Sequence, residues 1–388
     1  CWTAKTLAVG RSRGVLDGER AKKWDEYAAK ALACYEQTMA QYPEAPSTVN
    51  AVSEILMILN LKLKSKVIDA AGVEAFFNAL LAGPAGKNLA LKVKALYAFG
   101  TLQYALGDPK RALPTFVRAL QEGPNVEVDP ADYDAYAKTL VENAQFDPAI
   151  ATYKKMAEVA LKNGDYPAWS DAMFGIGDAA FRKKDFALAR KQFEMFTKVA
   201  DDLKTKKRQP EQLTLEERAL VNCKRLPEAQ LGMADILLAE KKFDQAIAAY
   251  KAYIESTRGI NKIRARAVLG MGYALLARSA TKAPADARAD MEAAFGNFAQ
   301  AAEFYSIFDD VAAEALFRAG ETANRVAAMV AQEPSTPETS AALQKALLNW
   351  QAEVRRNLEE LIKRYPNDPN AGTAKEILGK LPPARPGR

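Results

Sequence analysis

The chain has 388 residues, of which 49% are apolar and 26% charged, a composition typical of a folded protein. It contains no histidine, which excludes a serine–histidine–aspartate triad, a cysteine–histidine pair and any metal site with histidine ligands. The sequence therefore predicts neither a cofactor nor a metal site. Catalysis by carboxylate, lysine or tyrosine groups stays open.

The net charge of +6 is small for this length and is spread along the sequence. Proteins that bind nucleic acid usually concentrate basic residues on one face or stripe. The densest basic run, residues 204–208, is flanked by acidic residues and is typical of a solvated loop. The sequence therefore predicts no nucleic-acid partner.

The chain as given starts at Cys1, followed by Trp2. In this respect it resembles a mature bacterial lipoprotein, whose first residue is a cysteine that carries lipid. The resemblance implies lipidation of Cys1 and a location in the bacterial periplasm. Because Trp2 is not the aspartate of an inner-membrane retention signal, the outer membrane is favoured. The alternative is that Cys1 is only a boundary within a longer chain, in which case the protein is expected in the cytoplasm.

In residues 1–92, the pattern of apolar and small residues predicts divergent helical hairpins, among them a helix over residues 19–41. Beyond this region, a spacing recurs four times: a small residue, an alanine twelve positions later and an aromatic residue four positions further on. The four triads are Gly100, Ala112, Phe116; Ala137, Ala149, Tyr153; Gly177, Ala189, Phe193; and Ala234, Ala246, Tyr250. Small residues let two antiparallel helices approach closely, and the ring one turn later fills the adjoining gap. The spacing predicts repeated hairpins over residues 93–258, with an insertion at 201–226.

At this point the chain resembles the tetratricopeptide repeat family. One unit, starting at Val93, has the family's preferred residues at seven marked positions: Leu96, Phe99, Gly100, Ala112, Phe116, Ala119 and Pro124. Gln103 departs from the aromatic residue that the family prefers there. The resemblance implies an all-α fold, a right-handed superhelical solenoid of helical hairpins.

Capping signals agree with these repeats. Asp108 and Asp147 each precede a proline, which predicts an N-cap before a proline at the first helical position. Asp185 and Asp244 are predicted caps of the equivalent second helices. Within the insertion, Thr214 is the predicted cap of a short helix.

Residues 259–381 predict divergent hairpins, followed by a flexible tail over 382–388. The break at Tyr365 and Pro366 resembles hairpins of periplasmic tetratricopeptide lipoproteins. Gly270 and Gly272 lie in a helical run without a preceding strand, so close helix packing explains them better than a dinucleotide loop. No alternating strand pattern is found, and no sheet is predicted.

The family resemblance also implies a concave groove lined mainly by the first helix of each unit. Its positions in this sequence are Lys94, Tyr97, Tyr104, Asp134, Lys138, Asp171, Phe174, Asp178 and Asp235. The predicted groove is aromatic and basic at its start and acidic later, which favours a peptide or helical segment with apolar anchors and positive charge. The alternative is that these are only solvated helix positions. The family's lysine–asparagine–arginine clamp for a terminal carboxylate is absent.

The sequence therefore predicts a non-catalytic scaffold that mediates protein–protein interaction within a larger bacterial envelope complex. Three alternatives stay open: a permanent structural subunit of a surface assembly, a cytoplasmic adaptor, and a carboxylate-dependent cell-wall enzyme built on a helical superhelix. Replacing Gly100 or Gly177 with leucine is expected to disrupt the hairpin stack.

Overall fold

The computed structural model describes residues 18–83 and 85–383. Within these ranges every regular element is a helix and no strand occurs. The α-helices are α1 (Gly18–Gln41), α2 (Pro46–Lys64), α3 (Ala70–Ala82), α4 (Leu89–Ala105), α5 (Pro109–Glu122), α6 (Pro130–Glu142), α7 (Phe146–Lys162), α8 (Tyr166–Arg182), α9 (Phe186–Lys204), α10 (Leu215–Asn222), α11 (Leu226–Ala239), α12 (Phe243–Ser256), α13 (Lys262–Ser279), α14 (Pro284–Phe304), α15 (Asp309–Gln332), α16 (Ser340–Arg364) and α17 (Ala371–Lys380). Two single-turn 3₁₀ helices, Ala85–Lys87 and Pro210–Gln212, lie between them.

Two parts of the chain that the sequence predictions mention lie outside the described ranges. Cys1, the predicted lipidation site, lies outside the described residues, as do residues 384–388 of the predicted tail. Among the helices that the structure describes, none is both long and apolar enough to cross a bilayer.

Two compact units divide the chain. Unit 1 contains the described residues up to Gln192 together with Thr205–Cys223, and unit 2 contains Phe193–Lys204 together with the described residues from Lys224 onward. Helices α1–α8 and α10 therefore belong to unit 1, α11–α17 belong to unit 2, and α9 is shared. The boundary between the two units lies within residues 93–258, which the repeat spacing predicts as one continuous block of hairpins.

Consecutive helices pack as hairpins within each unit. In unit 1, α4 packs against α5 and α6 against α7, and α4, α6 and α8 also lie side by side. In unit 2, α11, α13 and α15 form an equivalent row, with α12, α14 and α16 packed beside them. We call the members of these two rows first helices. The predicted all-α fold of stacked hairpins is confirmed.

The turn inside each central hairpin has the same backbone conformation. Gly107, Ala144, Lys184 and Lys241 each stand seven positions after the small residue of a triad, and their φ angles lie between 57° and 82°. This left-handed region is accessible to glycine but costs other residues about 1 kcal/mol. The shared turn shows that the four hairpins are copies of one structural unit.

All twelve residues of the predicted triads are buried. Inside a hairpin, a glycine on the first helix faces the ring on the second helix. A Cβ atom added to Gly100 would lie 2.8 Å from the ring of Phe116, and one added to Gly272 would lie 2.6 Å from the ring of Phe298. These positions therefore admit no side chain without displacing an aromatic ring.

A second glycine contact joins one hairpin to the next, and the sequence did not reveal it. A Cβ atom on Gly175 would lie 2.5 Å from the ring of Tyr153, which belongs to the preceding hairpin. Gly270 stands in the same relation to Tyr250, and Gly232 to Phe193. Each of these glycines lies two positions before the small residue of its own hairpin. The aromatic residues Tyr153, Phe193 and Tyr250 therefore each pack against the first helix that follows them.

Of the four caps predicted for the second helices of the hairpins, two are wrong. Asp108 accepts a hydrogen bond from the Arg111 backbone nitrogen at 3.0 Å, and Asp185 accepts one from the Leu188 nitrogen at 3.1 Å, as expected of N-caps. Asp147 and Asp244, however, lie inside the first turns of α7 and α12. Their carboxylates form ion pairs with Lys183 and Arg278, so they join neighbouring helices instead of capping their own.

The insertion contains the predicted short helix. Thr214 caps α10 by accepting a hydrogen bond from the Glu217 nitrogen at 3.2 Å, while the Glu217 carboxylate accepts one from the Thr214 nitrogen at 2.9 Å. Glu217 also binds the Arg208 guanidinium, and these hydrogen bonds lower its pKa to about 2. The basic run at 204–208 is thus partly fixed by an internal ion pair.

Candidate functional site on the first helices

The candidate site in unit 1 is the exposed side of α4, α6 and α8. Because these helices lie side by side, residues at equivalent positions on them share one surface. Lys94 and Tyr104 on α4 and Asp134 on α6 are partly exposed. On α8, Phe174 and Asp178 are partly exposed and Asp171 is exposed. The structure therefore brings these predicted residues onto one side of the row.

Tyr97 does not belong to this surface. Its side chain is only 2% exposed, and its ring lies 5.6 Å from that of Phe116 and 6.2 Å from those of Tyr133 and Tyr136. Burial raises the pKa of its phenol well above the usual value. The prediction that Tyr97 lines a groove is therefore wrong, because its ring is part of the core that joins α4 to α6.

Two acidic groups of the predicted groove are neutralised by basic residues on their own helices. The Lys138 ammonium donates a hydrogen bond to Asp134 at 2.5 Å, and the Arg182 guanidinium donates one to Asp178 at 3.0 Å. Both pairs have the i, i+4 spacing at which side chains of one helix meet. The later part of the surface is consequently less acidic than the sequence alone indicated.

A buried carboxylate, missed by the sequence reasoning, lies behind the surface. Asp132 on α6 is only 7% exposed and accepts a hydrogen bond from the Thr101 hydroxyl of α4 at 3.3 Å. Burial, together with the charge of Asp129, raises its pKa to about 7, although the Thr101 bond and the charge of Lys94 oppose the shift. This residue could not be found from spacing, because the sequence does not show which first-turn acid is buried.

The insertion reaches the far end of the same surface. Helix α10 packs against α8, with Leu213 and Leu220 buried. The Cys223 thiol lies 3.6 Å from a carboxylate oxygen of Asp171. The insertion therefore adjoins one of the predicted binding residues.

In unit 2, Asp235 is held by its own hairpin. The Tyr250 hydroxyl donates a hydrogen bond to Asp235 at 2.5 Å. Burial, and then the nearby carboxylate, raise the pKa of Tyr250 far above its usual value. Asp235 thus fixes a core tyrosine, and a ligand would compete with that bond.

The first helices of unit 2 carry a polar network that the sequence analysis did not single out. The Tyr273 hydroxyl donates to Glu314, and the Arg318 guanidinium donates to Tyr273 at 3.0 Å and to Glu321 at 2.9 Å. The same guanidinium lies 5.4 Å from the ring centre of Tyr273 and 5.4 Å from that of Phe317. Tyr273 and Glu321 directly follow the buried glycines Gly272 and Gly320, which stand at the small position of their hairpins. Continuing the repeat spacing beyond residue 258 would therefore have located both residues.

In the described part of the chain, no group of three or more cysteine, aspartate or glutamate side chains is placed to hold a metal ion. Asp134 pairs with Lys138, Asp178 with Arg182 and Glu321 with Arg318, each along a single helix. What the surface offers to another molecule is aromatic area flanked by charged groups.

The hairpins, their equivalent turns and their glycine–aromatic contacts define an all-α helical-repeat protein. Residues 135–198 match a family model described as "Tetratricopeptide repeat", and residues 228–256 match a second model with the same description. The chain therefore contains tetratricopeptide repeats, as the sequence predicts. No curated protein sequence matches it.

Several solved structures are similar to the chain. The apo form of the quorum sensor NprR from B. thuringiensis is 13% identical, with a TM-score of 0.47, over 91% of this chain and 99% of that one. The C-terminal part of a TPR repeat-containing protein from Cytophaga hutchinsonii is 13% identical, with a TM-score of 0.45, over 84% and 98% of the two chains. Yeast Tom70 is 13% identical, with a TM-score of 0.36, over 96% and 84%.

Proposed function

We propose that the chain is a non-catalytic scaffold, and that a peptide or helical segment of a partner protein binds to the first-helix surface of unit 1. The contact residues are Lys94, Tyr104, Asp134, Lys138, Asp171, Phe174 and Asp178. The observation that carries this proposal is the side-by-side arrangement of α4, α6 and α8. Such a row presents residues of three helices at fixed separations, so little conformational entropy is lost on binding.

The chemistry of the surface favours a particular kind of segment. Tyr104 and Phe174 supply partly exposed rings, which suit apolar anchors. Asp171 is exposed at the end of the surface, where a basic side chain of the partner would meet it. The ion pairs of Asp134 and Asp178 lie along single helices and are partly exposed, so a charged ligand exchanges with them at little cost.

The test is selection of peptides from a randomised library on the purified chain, followed by measurement of Kd by calorimetry. Phe174→Ala and Asp171→Lys are each expected to weaken the selected peptides by about tenfold, a change typical of an important interface residue. Glu158→Lys is the matched control, because it makes the same charge reversal on an exposed residue of the second helix α7.

The outcome decides between a groove and an inert surface. Selected peptides that bind all three variants equally, or that lose affinity only in Glu158→Lys, would contradict the proposed site. If no peptide is selected and the protein instead purifies in a fixed stoichiometric complex, a permanent structural subunit becomes the better description.

We also propose that the scaffold acts in a bacterial envelope, with Cys1 as its lipid anchor. Support for this location comes from the sequence, in particular from the break at Tyr365 and Pro366, which lies between α16 and α17. Expression from the natural gene with radioactive palmitate tests it. The expected result is label in the membrane fraction that disappears when Cys1 is replaced by serine; unlabelled protein in the cytoplasm would overturn it.

A further inference from the structure

The edge of unit 2 at which its first helices begin is formed by connections between hairpins. Residues 257–261 join α12 to α13, and residues 305–308 join α14 to α15. The Lys262 ammonium at the start of α13 lies 2.7 Å from the Asp310 carboxylate at the start of α15, so the two connections are neighbours. Because α13 and α14 pack as an antiparallel hairpin, the last turn of α14 lies at the same edge. We call this surface the loop edge, and its residues are Arg258, Ile260, Arg264, Phe304 and Ile307.

Three large apolar side chains protrude from the loop edge. Ile260, Phe304 and Ile307 are 62%, 59% and 71% exposed. The connection between α7 and α8 in unit 1, residues 163–165, contains no apolar side chain. A connection between hairpins therefore does not need exposed apolar groups, and a cluster of them is typical of an interaction surface.

The two arginines of the loop edge have no acidic partner. Neither Arg258 nor Arg264 forms an ion pair within the described residues, and the buried Nε atom of Arg264 has no hydrogen-bond acceptor in this part of the chain. The neighbouring acids are engaged elsewhere, since Asp309 accepts a hydrogen bond from the Tyr365 hydroxyl at 3.2 Å and Asp310 is paired as described above. An unpaired guanidinium and a buried donor without an acceptor both favour an incoming carboxylate.

We infer that the loop edge docks an acidic segment of a partner protein, with apolar side chains between its carboxylates. The carboxylates would bind Arg258 and Arg264, and the apolar side chains would cover Ile260, Phe304 and Ile307. Because neither arginine has an internal partner, docking breaks no existing ion pair. The site is separate from the first-helix surface of unit 1, whose expected ligand is basic.

A narrow segment suits this edge better than an anionic bilayer. Glu303 directly precedes Phe304 and is exposed, and Asp310, three positions after Ile307, is exposed as well. A bilayer that reached both apolar side chains would also meet these carboxylates, which anionic lipids repel. A short segment can contact the arginines and the apolar side chains without covering either acid.

Fluorescence anisotropy of a short labelled peptide, in which glutamate alternates with leucine, tests the site on the full chain. We expect a Kd of about 100 µM at physiological salt, and binding should be lost near 1 M salt. Lysine in place of the glutamates should abolish binding, and serine in place of the leucines should weaken it about tenfold. No binding at roughly 1 mM protein, or equal binding of the lysine peptide, would overturn the proposal.

Two substitutions with matched controls locate the bound peptide. Arg258→Glu should weaken binding at least about tenfold, and Ile307→Ser about fivefold. Lys345→Glu and Leu348→Ser reverse a charge and remove an apolar side chain at exposed residues near the start of α16, at the opposite edge of unit 2. Both controls should bind the peptide as the wild-type chain does. Undiminished binding by the two loop-edge variants would refute the site.

Arg264→Met separates binding from packing. Methionine keeps an apolar stem but removes the unpaired donor, so the peptide should bind about fivefold more weakly while the melting temperature stays the same or rises. A fall in melting temperature with unchanged peptide binding would overturn the assigned role of Arg264.

Two further measurements on the purified chain without lipid decide between occupants. The chain should stay in the supernatant when phosphatidylglycerol vesicles are sedimented, and light scattering should give the same mass for the wild-type chain and Ile307→Ser. Vesicle binding or self-association that Ile307→Ser abolishes would overturn the assignment to a partner segment. Failure of the unit 1 groove is distinguishable, because Phe174→Ala alters that surface and should leave the Kd of the acidic peptide unchanged.

Discussion

The ion pairs on the candidate surface of unit 1 differ from the polar network of unit 2, although unit 1 also has pairs between helices, such as Lys92 with Glu122 and Lys183 with Asp147. In unit 1, Lys138 and Arg182 neutralise acids on their own helices, four residues away. In unit 2, Arg318 of α15 binds Tyr273 of α13, and Arg278 of α13 binds acids of both α12 and α14. Pairs within a helix contribute little to how helices are held together, whereas bonds between helices fix their relative positions.

This difference indicates which unit is suited to binding a partner and which unit is suited to a rigid framework. A ligand can replace a local, partly exposed pair without moving a helix, but it cannot replace Arg278 without breaking contacts among three helices. Unit 1 is therefore the better place for exchange of partners. Unit 2 is the better place for a fixed framework. The four predictions below test this contrast, starting with the packing that both units share.

Replacement of Gly175 by leucine should have the largest effect. The new Cβ would lie 2.5 Å from the Tyr153 ring between two hairpins, so the helices must separate. The free energy of unfolding should fall by about 3 kcal/mol or more, the upper range for overpacking. Urea unfolding followed by circular dichroism measures it. Gly270→Leu, with the same 2.5 Å contact to Tyr250, should cost unit 2 as much.

The control for both is Gly296→Ala in α14. An added Cβ at this exposed position meets no atom within 4 Å, so the variant should gain roughly 0.5–1 kcal/mol from helix propensity. If the leucine variants unfold at the midpoint of the wild-type chain, the glycine–aromatic contacts do not hold the hairpins together, and the shared packing is refuted.

Removal of the Arg278 side chain should come next. Asp290 has a side chain only 7% exposed; burial raises its pKa, but hydrogen bonds from Arg278 and Lys282 outweigh this effect, and the net pKa is lowered. Arg278→Ala leaves the carboxylate with Lys282 alone, so the free energy of unfolding should fall by about 2 kcal/mol. Arg182→Ala in unit 1 should cost less than about 0.5 kcal/mol.

The pH dependence checks the cause of that loss. A carboxylate whose pKa is lowered in the folded state stabilises it above the unfolded pKa, and this contribution is lost as the pH falls through the folded pKa. The difference between the wild-type chain and Arg278→Ala should therefore shrink below about pH 4. Equal costs for Arg278→Ala and Arg182→Ala at pH 7 would remove the contrast between the two units.

Asp132→Asn should have an effect that depends on pH in the opposite sense. The folded pKa of about 7 lies above the unfolded value, so between pH 4 and pH 7 the folded state holds a proton that the unfolded state releases. The wild-type chain should lose stability as the pH rises through this range. Asparagine resembles the protonated acid, so the variant should be more stable than wild type at pH 8 by at least about 1 kcal/mol. Urea unfolding of both proteins at pH 4 and pH 8 measures this difference. If the difference in unfolding free energy between Asp132→Asn and the wild-type chain is the same at both pH values, the burial of this carboxylate is contradicted.

The sequence predicted the hairpins well because the residues that build them leave a local mark. Gly100, Ala112 and Phe116 are fixed by backbone approach, which permits few alternatives at each position. The polar surface leaves no such mark. Tyr97 and Tyr104 are two tyrosines of one helix, and only tertiary packing reveals that the first is buried against Tyr133 and Tyr136. The i, i+4 spacing of Asp134 and Lys138 indicates their ion pair, but no spacing shows that Asp132 is buried.

Removal of the Lys138 side chain should have the smallest effect on stability of the four predictions, but it should change the affinity for peptides. Its pair with Asp134 joins side chains of one helix that are 36% and 27% exposed, so Lys138→Ala should change the free energy of unfolding by less than about 0.5 kcal/mol. The Asp134 carboxylate then faces the ligand without its partner. Basic peptides selected on the wild-type chain should bind about threefold more tightly at low salt, and the gain should vanish near 1 M salt because screening removes it. Calorimetry at both salt concentrations measures the change, with Lys155→Ala on α7 as the control for loss of a lysine away from the surface. A loss of stability above about 1 kcal/mol would instead show that the pairs within single helices of unit 1 hold its helices in place, as the bonds between helices do in unit 2.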